Sequence, residues 1–328
     1  MISVTGATGH IGNVLVRELL QRGETVQAII PPLENTSSME GLQITRTEAD
    51  IRDVRSLIEA FEGSTVVYHL AGLVSISSGN NESLYKINVG GTRNVVEACL
   101  RCGITRLVYT SSIHAIASPP HGTAIDETFP FDPDKAMGEY DKSKAQATLD
   151  VLDALDQGLD AVVVCPTGVI GPYDYRLSEM GKLFMDVASG RLRAYIDGAY
   201  DFVDVRDVAI GHILSCERGR TGESYILSGE RISIIDLISM IEEISGVKTR
   251  RVKIPVWLAM VAATFTPPYY RLTNTRPRFT KYSIHTLASN SVISNSKSCH
   301  EIGYSARPIR DSVVDTIEWF KDAGRLKS

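Results

Sequence analysis

The chain begins Met1-Ile-Ser-Val-Thr-Gly-Ala-Thr-Gly-His-Ile-Gly12, and this stretch decides the fold. A short apolar run is followed by glycines at positions 6, 9 and 12 and then by a segment, residues 13–20, whose apolar side chains recur at helical spacing. The pattern predicts a strand, a tight turn and a helix. Glycines let a backbone approach an anion, and the unpaired N–H groups at a helix start attract it. We therefore predict a pyrophosphate site, although an ordinary strand-to-helix turn has the same pattern.

The bulk composition is that of an ordinary globular protein. At 328 residues the chain exceeds the usual single domain, so we expect one large domain and a smaller part. The net charge of −5 and the lack of a long basic run argue against nucleic acid as the main partner. We expect no leader and no membrane span. The longest apolar run, Val256–Phe265, is interpreted as a buried helix, or as a surface that lies on a membrane or a partner.

The cysteines predict neither a metal site nor a disulfide framework. Cys99 and Cys102 form a C-x-x-C, but no second pair lies at ligand spacing, and both fall in a helical pattern that ends at Gly103. Buried helical thiols are the favoured interpretation. A reducing, cytoplasmic location follows as the expectation.

The residues at the end of the second predicted strand, residues 25–30, indicate which coenzyme binds. An acidic residue there takes the ribose 2′-OH of NAD, and an arginine takes the 2′-phosphate of NADP. This chain has Pro31 and Pro32 instead, and the nearest charge is Glu34. Because a carboxylate disfavours a phosphate more than a hydroxyl, NAD(H) is favoured over NADP(H).

An acidic cluster follows the third predicted strand. Asp50 either accepts from an adenine amino group, with Ile51 packed on the ring, or caps the following helix. For Asp53 the helix cap is the favoured interpretation.

Small and polar residues follow the next two predicted strands. Residues 64–72 form the fourth strand, and Leu70-Ala-Gly72 leave room for a flat group across the sheet edge. His69 is either a base or, as we prefer, a hydrogen-bonded core histidine. The amide of Asn88, in a helix predicted over residues 83–101, is expected to bond a neighbouring backbone or hold a water. Thr110-Ser-Ser112 end a strand at the edge where open α/β sheets bind ligands.

Tyr140 and Lys144 lie four residues apart, on one face of a predicted helix. An ammonium beside the phenol would lower the cost of ionising Tyr140. Such a tyrosine can exchange a proton with the oxygen of a carbonyl/alcohol pair while hydride moves to or from a nicotinamide. Ser112 would hold the same oxygen by a hydrogen bond.

Together these features resemble the extended short-chain dehydrogenases/reductases of the epimerase/dehydratase group, nearest to the branch with dihydroflavonol 4-reductase and 3β-hydroxysteroid dehydrogenase-like proteins. Besides the stretches above, Pro166-Thr-Gly-Val-Ile-Gly-Pro172, Phe202-Val-Asp-Val-Arg-Asp-Val-Ala209 and a tail pattern over residues 294–309 carry the resemblance. It implies catalytic roles for Ser112, Tyr140, Lys144 and Asn88. It implies coenzyme contacts from Gly6, Thr8, Gly9, His10, Ile11, Gly12, Asp50, Ile51, Leu70, Ala71, Gly72, Tyr140, Lys144, Pro166 and Thr167.

Two departures from the family pattern affect the expected function. Reductases of this branch usually have an arginine at the position of Pro31, so an NADP preference does not carry over. Sugar-nucleotide enzymes have an arginine and a substrate-facing asparagine where this chain has Cys165 and Gly168. We expect an oxidoreductase acting on a secondary alcohol or a ketone/aldehyde. The alternatives are a sugar-nucleotide epimerase or dehydratase, and a non-catalytic dinucleotide-binding sensor.

The predicted architecture is α/β: a Rossmann-type, doubly wound, mainly parallel sheet with a smaller C-terminal substrate-binding part. The dinucleotide-binding domain is predicted over residues 1–170, with a returning segment at about 199–229. The substrate-binding part is predicted over residues 171–198 and 230–328. Partners are a small-molecule substrate and, by the resemblance, a second copy in a homodimer. An aromatic cluster would line a pocket for a bulky apolar substrate or belong to the core; it comprises Trp257, Phe265, Tyr269 and Tyr270.

Overall fold

A computed structural model describes residues 1–74, 81–120, 122–265, 284, 286 and 291–326. The strands are β1 (Ile2–Thr5), β2 (Val26–Ile30), β3 (Thr45–Glu48), β4 (Val66–His69), β5 (Arg106–Thr110), β6 (Ala161–Pro166), β7 (Gly168–Ile170), β8 (Ala194–Ile196), β9 (Ala199–Asp204), β10 (Ser224–Leu227), β11 (Glu230–Ser233) and β12 (Val252–Ile254). The helices are α1 (His10–Gln21), α2 (Val54–Phe61), α3 (Asn81–Tyr85), α4 (Gly91–Cys102), α5 (Glu139–Asp153), α6 (Glu179–Ala188), α7 (Val205–Arg218), α8 (Ile234–Ser245), α9 (Val256–Phe265) and α10 (Ile309–Asp322).

Within this described part, seven strands form one parallel sheet in the order β10-β6-β5-β4-β1-β2-β3. The predicted doubly wound α/β fold is confirmed. A parallel sheet covered on both faces has apolar strands, and β6 is buried at every position. The chain runs outward from β1 to β3 and then returns to β4 on the other side of β1. Ligands bind at such a reversal, outside the carboxyl ends of the strands.

Two apolar layers cover the large sheet. On one face α1 packs against α7, where Leu15 and Leu19 join a core with Val208 and Ile213. On the other face α2, α4 and α5 form a second layer. Both layers hold the turns after β1 and β4 in place at the reversal.

A smaller part packs beside this sheet. Strands β11, β9 and β7 form a three-stranded sheet, and β12 pairs with β8. Helices α6, α8 and α10 share a third core around Phe184 and Phe320. The tail segment also ties down the edge strand β10, because Ser298 Oγ donates to Ile226 O at 2.7 Å and Tyr304 Oη to Ser228 O at 3.0 Å. The residue boundaries predicted for the two parts stay a prediction.

The helix predicted over residues 83–101 is confirmed, and it includes a π-helical turn, Lys86–Gly90, between α3 and α4. One local prediction was wrong. The run Val256–Phe265 does form a helix, α9, but it is not a buried one. Trp257 is 68% exposed, and Val256, Leu258 and Val261 are exposed as well. An apolar composition predicts burial only on average, and of the α9 side chains that the structure describes, Ala259 alone is buried.

Candidate active site

The glycine turn after β1 shows a different physical need at each of its three glycines. Gly6 has φ +71°, and a Cβ there would lie 2.6 Å from Ala71 N. A Cβ on Gly12 would overlap the Gly6 carbonyl oxygen. Gly9 has an ordinary φ of −75°, and only Gly6 O, at 3.1 Å, lies within 4 Å of the position its Cβ would take. Gly6 and Gly12 are thus required by packing, whereas the space before Gly9 is open beyond one tight contact with the Gly6 carbonyl oxygen.

That open space lies at the start of α1. Gly9 precedes the first helical residue, and no side chain caps the helix. The N–H groups of a first helical turn have no partner within the helix, and together with the helix dipole they attract an anion. The turn fits a pyrophosphate, because it forms a cradle that a side chain on residue 9 would fill.

Side chains beside the turn are held by a distant segment. Thr8 is buried, and its Oγ1 accepts from Arg176 Nη2 at 2.6 Å. Arg176 also forms an ion pair with Glu34. His10 Nε2 lies 2.9 Å from Pro172 O, and Ile11 packs against the α1 side of the core. Arg176 escaped the prediction as a contact of this turn because it is 168 residues from Thr8.

The acidic cluster after β3 divides into two roles. Asp53 caps α2, since its Oδ1 accepts from Arg55 N at 3.0 Å, which confirms the predicted cap. Asp50 is not a helix cap. Its carboxylate binds Arg52, and this hydrogen bond holds the pKa of Asp50 below its usual value. Ile51 packs against Gly91, where a Cβ would lie 2.7 Å from its Cδ1.

His69 is a core histidine, as the sequence predicts. The ring is fully buried, with Nδ1 2.8 Å from Thr5 Oγ1 and Nε2 3.0 Å from Thr92 Oγ1. Burial lowers its pKa to about 3, so the ring is neutral. The turn after it, residues 70–72, meets β1 through Ala71 N, which donates to Thr5 Oγ1 at 3.2 Å. These small residues therefore lie at the reversal, next to the glycine turn.

Asn88 lies in the π-helical turn and connects three elements. Its Oδ1 accepts from Leu73 N at 2.7 Å, and its Nδ2 donates to Leu73 O and to Ser143 Oγ, each at 3.0 Å. Of the two roles expected for the Asn88 amide, the structure shows hydrogen bonds to a neighbouring backbone. Ser143 was not predicted, because its hydroxyl is one of many in the helix pattern. The contact fixes α5 against the turn after β4.

Ser112, Tyr140 and Lys144 come together at the carboxyl end of β5. Ser112 is buried, its Oγ accepts from His114 N at 3.2 Å, and its hydroxyl lies close enough to Tyr140 to lower the pKa of that phenol. Lys144 Nζ donates to Thr110 O at 2.5 Å and lies 4.5 Å from the centre of the Tyr109 ring. Burial lowers the pKa of Lys144 to about 7.

The expected lowering of the Tyr140 pKa is not present in the chain itself. Burial raises the pKa of Tyr140 to about 12, against the smaller opposing effect of the neighbouring Ser112 hydroxyl. The physical reason is desolvation, which disfavours the phenolate. The Lys144 ammonium points to the Thr110 carbonyl. At neutral pH Tyr140 therefore carries its proton.

The end of β6 brings Pro166 and Thr167 to the same edge of the sheet. Thr167 N donates to Leu227 O at 3.2 Å, and its Oγ1 donates to Asp201 Oδ1 at 2.6 Å. Asp201 also accepts from Gly229 N at 2.9 Å. Asp201 was not singled out in the sequence, since the stretch that carries the resemblance starts one residue later.

A cavity next to Tyr140 was not predicted in detail. His114 Nε2 lies 2.8 Å from Tyr200 Oη, and both side chains line the cavity. Of the other lining residues, Ile113, Ile116 and Met137 are apolar, whereas Lys135 and Asp141 bring charged groups to the wall. Of the predicted aromatic cluster, Trp257 lies on the surface. Tyr269, Tyr270 and the side chain of Phe265 lie outside the part of the chain that the structure describes.

The predicted thiols differ from one another. Cys99 is fully buried, and burial raises its pKa, whereas Cys102 is only half-buried and donates to Ile58 O at 3.4 Å. Burial of both was predicted, and it holds for Cys99 alone. Among the residues that the structure describes, no helix is long and apolar enough to cross a membrane.

The doubly wound sheet, the glycine turn and the buried Ser–Tyr–Lys cluster define an NAD(P)-dependent enzyme of the extended short-chain dehydrogenase/reductase type. The model of the NAD dependent epimerase/dehydratase family matches residues 2–228, and the chain belongs to this family.

Named relatives cover the whole chain. It is 37% identical to sterol demethylase protein B of Methylococcus capsulatus, over 98% of this chain and 99% of that protein. It is 31% identical to a putative dihydroflavonol 4-reductase of Synechocystis sp., over 99% of this chain and 96% of that protein. The crystal structure of gox2253 is 34% identical and superposes with a TM-score of 0.88, covering 100% of this chain and 99% of that chain.

Proposed function

We propose that this enzyme interconverts a secondary alcohol and a ketone or aldehyde, with Tyr140 as the acid and base. The observation that carries the proposal is the position of the Tyr140 phenol beside the Ser112 hydroxyl at the carboxyl end of β5, with Lys144 buried next to them. Two hydroxyl groups at one point suit the binding of a single carbonyl or carbinol oxygen.

The chain's own groups favour proton donation. With a pKa of about 12, Tyr140 holds its proton at neutral pH and can donate it to a carbonyl oxygen that Ser112 also holds. A bound nicotinamide coenzyme supplies or accepts the hydride. In the reverse direction Tyr140 must lose its proton, and a cationic Lys144 that turns from Thr110 O toward the phenol would stabilise the phenolate.

Asn88 acts on this cluster as a positioning residue. Its bond to Ser143 joins α5, which carries Tyr140 and Lys144, to the turn after β4. Because α5 is fixed in this way, the phenol keeps its place relative to Ser112. We assign Asn88 no contact with the reacting atoms.

We propose NAD(H) as the preferred coenzyme. Gly9 and the first turn of α1 would hold its pyrophosphate, and the residues after β3, β4 and β6 predicted from the resemblance would make the remaining contacts. Glu34 supports the preference, because its carboxylate, paired with Arg176, lies in the segment after β2 where a 2′-phosphate would be read.

A neutral residue at position 34 tests this preference. Glu34→Gln removes the negative charge, and Arg176 then becomes available to a phosphate. We expect the ratio of NADPH to NADH affinity to rise about tenfold, the effect of about 1.4 kcal/mol. Glu40→Gln, on the same connection, is the control and should leave the ratio unchanged. An unchanged ratio in Glu34→Gln would contradict the role of the carboxylate.

The substrate proposed is a small molecule with a bulky apolar body. The cavity beside Tyr140 supports this, since isoleucine and methionine side chains line it, while the His114–Tyr200 pair, Lys135 and Asp141 add polar groups. The relative named sterol demethylase protein B also points to a steroid-like or isoprenoid compound. We further expect a homodimer that packs through α4 and α5, which sedimentation equilibrium would measure.

The experiment that tests the function is net coenzyme consumption. Purified protein is mixed with NADH or NADPH and a panel of steroid-like ketones, other ketones and aldehydes, and absorbance at the nicotinamide band is followed. We expect stoichiometric oxidation with at least one carbonyl compound. An epimerase would instead convert a nucleoside diphosphate-sugar without net consumption, and that outcome would overturn the proposal.

A further inference from the structure

Helix α9 presents an apolar face to solvent. Its inner side is anchored, because Ala259 is buried and packs in a small cluster with Ile196 and Ile284. Its outer side carries Trp257, 68% exposed, and Val261, 47% exposed. Contiguous exposed apolar side chains of this size mark a site of interaction with a protein or a membrane.

The chain around α9 has an unusual charge pattern. Residues 244–300 contain no aspartate or glutamate, so their formal charge is +9, whereas the rest of the chain carries −14 of the total of −5. The nine basic residues are Lys248, Arg250, Arg251, Lys253, Arg271, Arg276, Arg278, Lys281 and Lys297. An apolar helix inside a segment of one charge sign matches an anionic surface.

Two of these basic side chains, close to α9 in sequence, are exposed and outside any ion pair that the structure describes. Arg251 is paired with Glu242, and Lys253 with Asp197. Lys248 and Arg250 are exposed, and neither forms an ion pair within the residues that the structure covers. Exposed positive charge and exposed apolar side chains therefore follow one another along this part of the chain.

We propose that Lys248, Arg250, Val256, Trp257, Leu258 and Val261 form a docking surface for an anionic lipid membrane. Tryptophan is favoured at the level of lipid headgroups, where its ring is half apolar and half polar. The neighbouring aliphatic side chains would enter the acyl boundary, and the two cations would face anionic headgroups. A nucleic acid would use the charge but not the aliphatic side chains.

One segment of the chain contacts both the docking helix and the substrate cavity. Ile284 packs beneath α9, and two residues later Thr286 lines the cavity beside Tyr140, together with Ile293. An apolar substrate dissolved in the membrane would thus meet the protein on the side from which this chain segment leads to the cavity. The docking itself does not depend on the proposed reaction, and it can be measured without turnover.

The test is flotation of the full chain with vesicles. Vesicles of phosphatidylcholine alone are compared with vesicles that also contain phosphatidylglycerol, at low and high salt. We expect binding to the anionic vesicles only, and loss of that binding as salt rises. Each basic residue near such a surface contributes about fivefold in affinity, so Lys248→Ala with Arg250→Ala should weaken binding roughly 30-fold.

Matched variants separate this surface from general effects. Trp257→Glu should abolish flotation, whereas Leu33→Glu changes a fully exposed apolar side chain elsewhere and should not. Arg22→Ala with Arg101→Ala removes two charges far from α9 in sequence and is the control for the double variant. The thermal unfolding midpoint of each variant shows that it is folded.

Three results would overturn the proposal. One is a folded natural chain that does not float with anionic vesicles, and another is a Trp257→Glu variant that floats as well as the natural chain. The third is a dimer that dissociates on the Trp257→Glu change while no vesicle binding occurs, since α9 would then be an interface between two copies.

Discussion

Replacing Gly9 by valine should abolish coenzyme binding in a protein that still folds. The backbone of Gly9 has φ −75°, which valine adopts, and only Gly6 O lies near its Cβ position. Valine is a poorer residue than glycine at a helix start, so we expect a stability loss of about 1 kcal/mol. The added methyl groups would point into the open cradle at the start of α1.

The expected loss of affinity follows from the hydrogen bonds that the side chain would block. A pyrophosphate displaced from the first turn of α1 loses about two hydrogen bonds to a charged group, each worth about 1.5–3 kcal/mol. The sum of about 3–6 kcal/mol corresponds to a 10²–10⁴-fold weaker Kd. Gly9→Ala should give a smaller loss, because its single methyl group fills less of the cradle.

The assay is a calorimetric titration of the protein with NADH and, separately, with NADPH. Thermal unfolding is measured on the same samples. Gly12→Ala is the contrasting variant, since its Cβ would overlap the Gly6 carbonyl oxygen and should lower the unfolding midpoint first. A folded Gly9→Val protein that binds either coenzyme within threefold of the natural Kd would refute the reasoning about the open cradle.

Two further predictions concern buried polar groups. Asn88→Ala leaves both backbone groups of Leu73 without their side-chain partner. The free energy of unfolding, measured in urea, should therefore fall by about 1–3 kcal/mol, and kcat should fall as well. Ser143→Ala removes one of the three hydrogen bonds of Asn88 and should have a smaller effect. In the folded chain the pKa of Lys144 is about 7, whereas its ordinary value is 10.5. Between these two pH values the folded chain binds fewer protons than the unfolded chain, so the free energy of unfolding should rise with pH. Lys144→Met should remove this rise and stabilise the protein at pH 7 by on the order of 3 kcal/mol. If the free energy of unfolding rises equally with pH in both proteins, the prediction is contradicted.

Local sequence patterns predicted the features that depend on neighbouring residues. The glycine turn, the Asp53 cap and the strands at the reversal follow from turn chemistry and apolar periodicity, which act over a few residues. The core role of His69 also followed, because an apolar strand surrounds it. These features place the cradle and the cluster at one edge of the sheet.

Features set by long-range packing did not follow from the sequence. The Arg176 contact with Thr8 and the His114–Tyr200 pair join segments 168 and 86 residues apart. The pKa of Tyr140 depends on how deeply α5 packs, and this burial outweighs the charge that the helical spacing suggested. The exposure of α9 likewise depends on which of its faces finds a partner, which composition does not contain.

Tyr140 transfers the proton in the proposed reaction, and the Tyr140→Phe substitution removes the hydroxyl that does so. The measurement is kcat for carbonyl reduction, together with the Kd for NADH, in the natural chain and the variant. We predict a 10²–10⁴-fold fall in kcat with a Kd within threefold, because only the hydroxyl is removed. A Tyr140→Phe protein that retains its kcat would contradict the account.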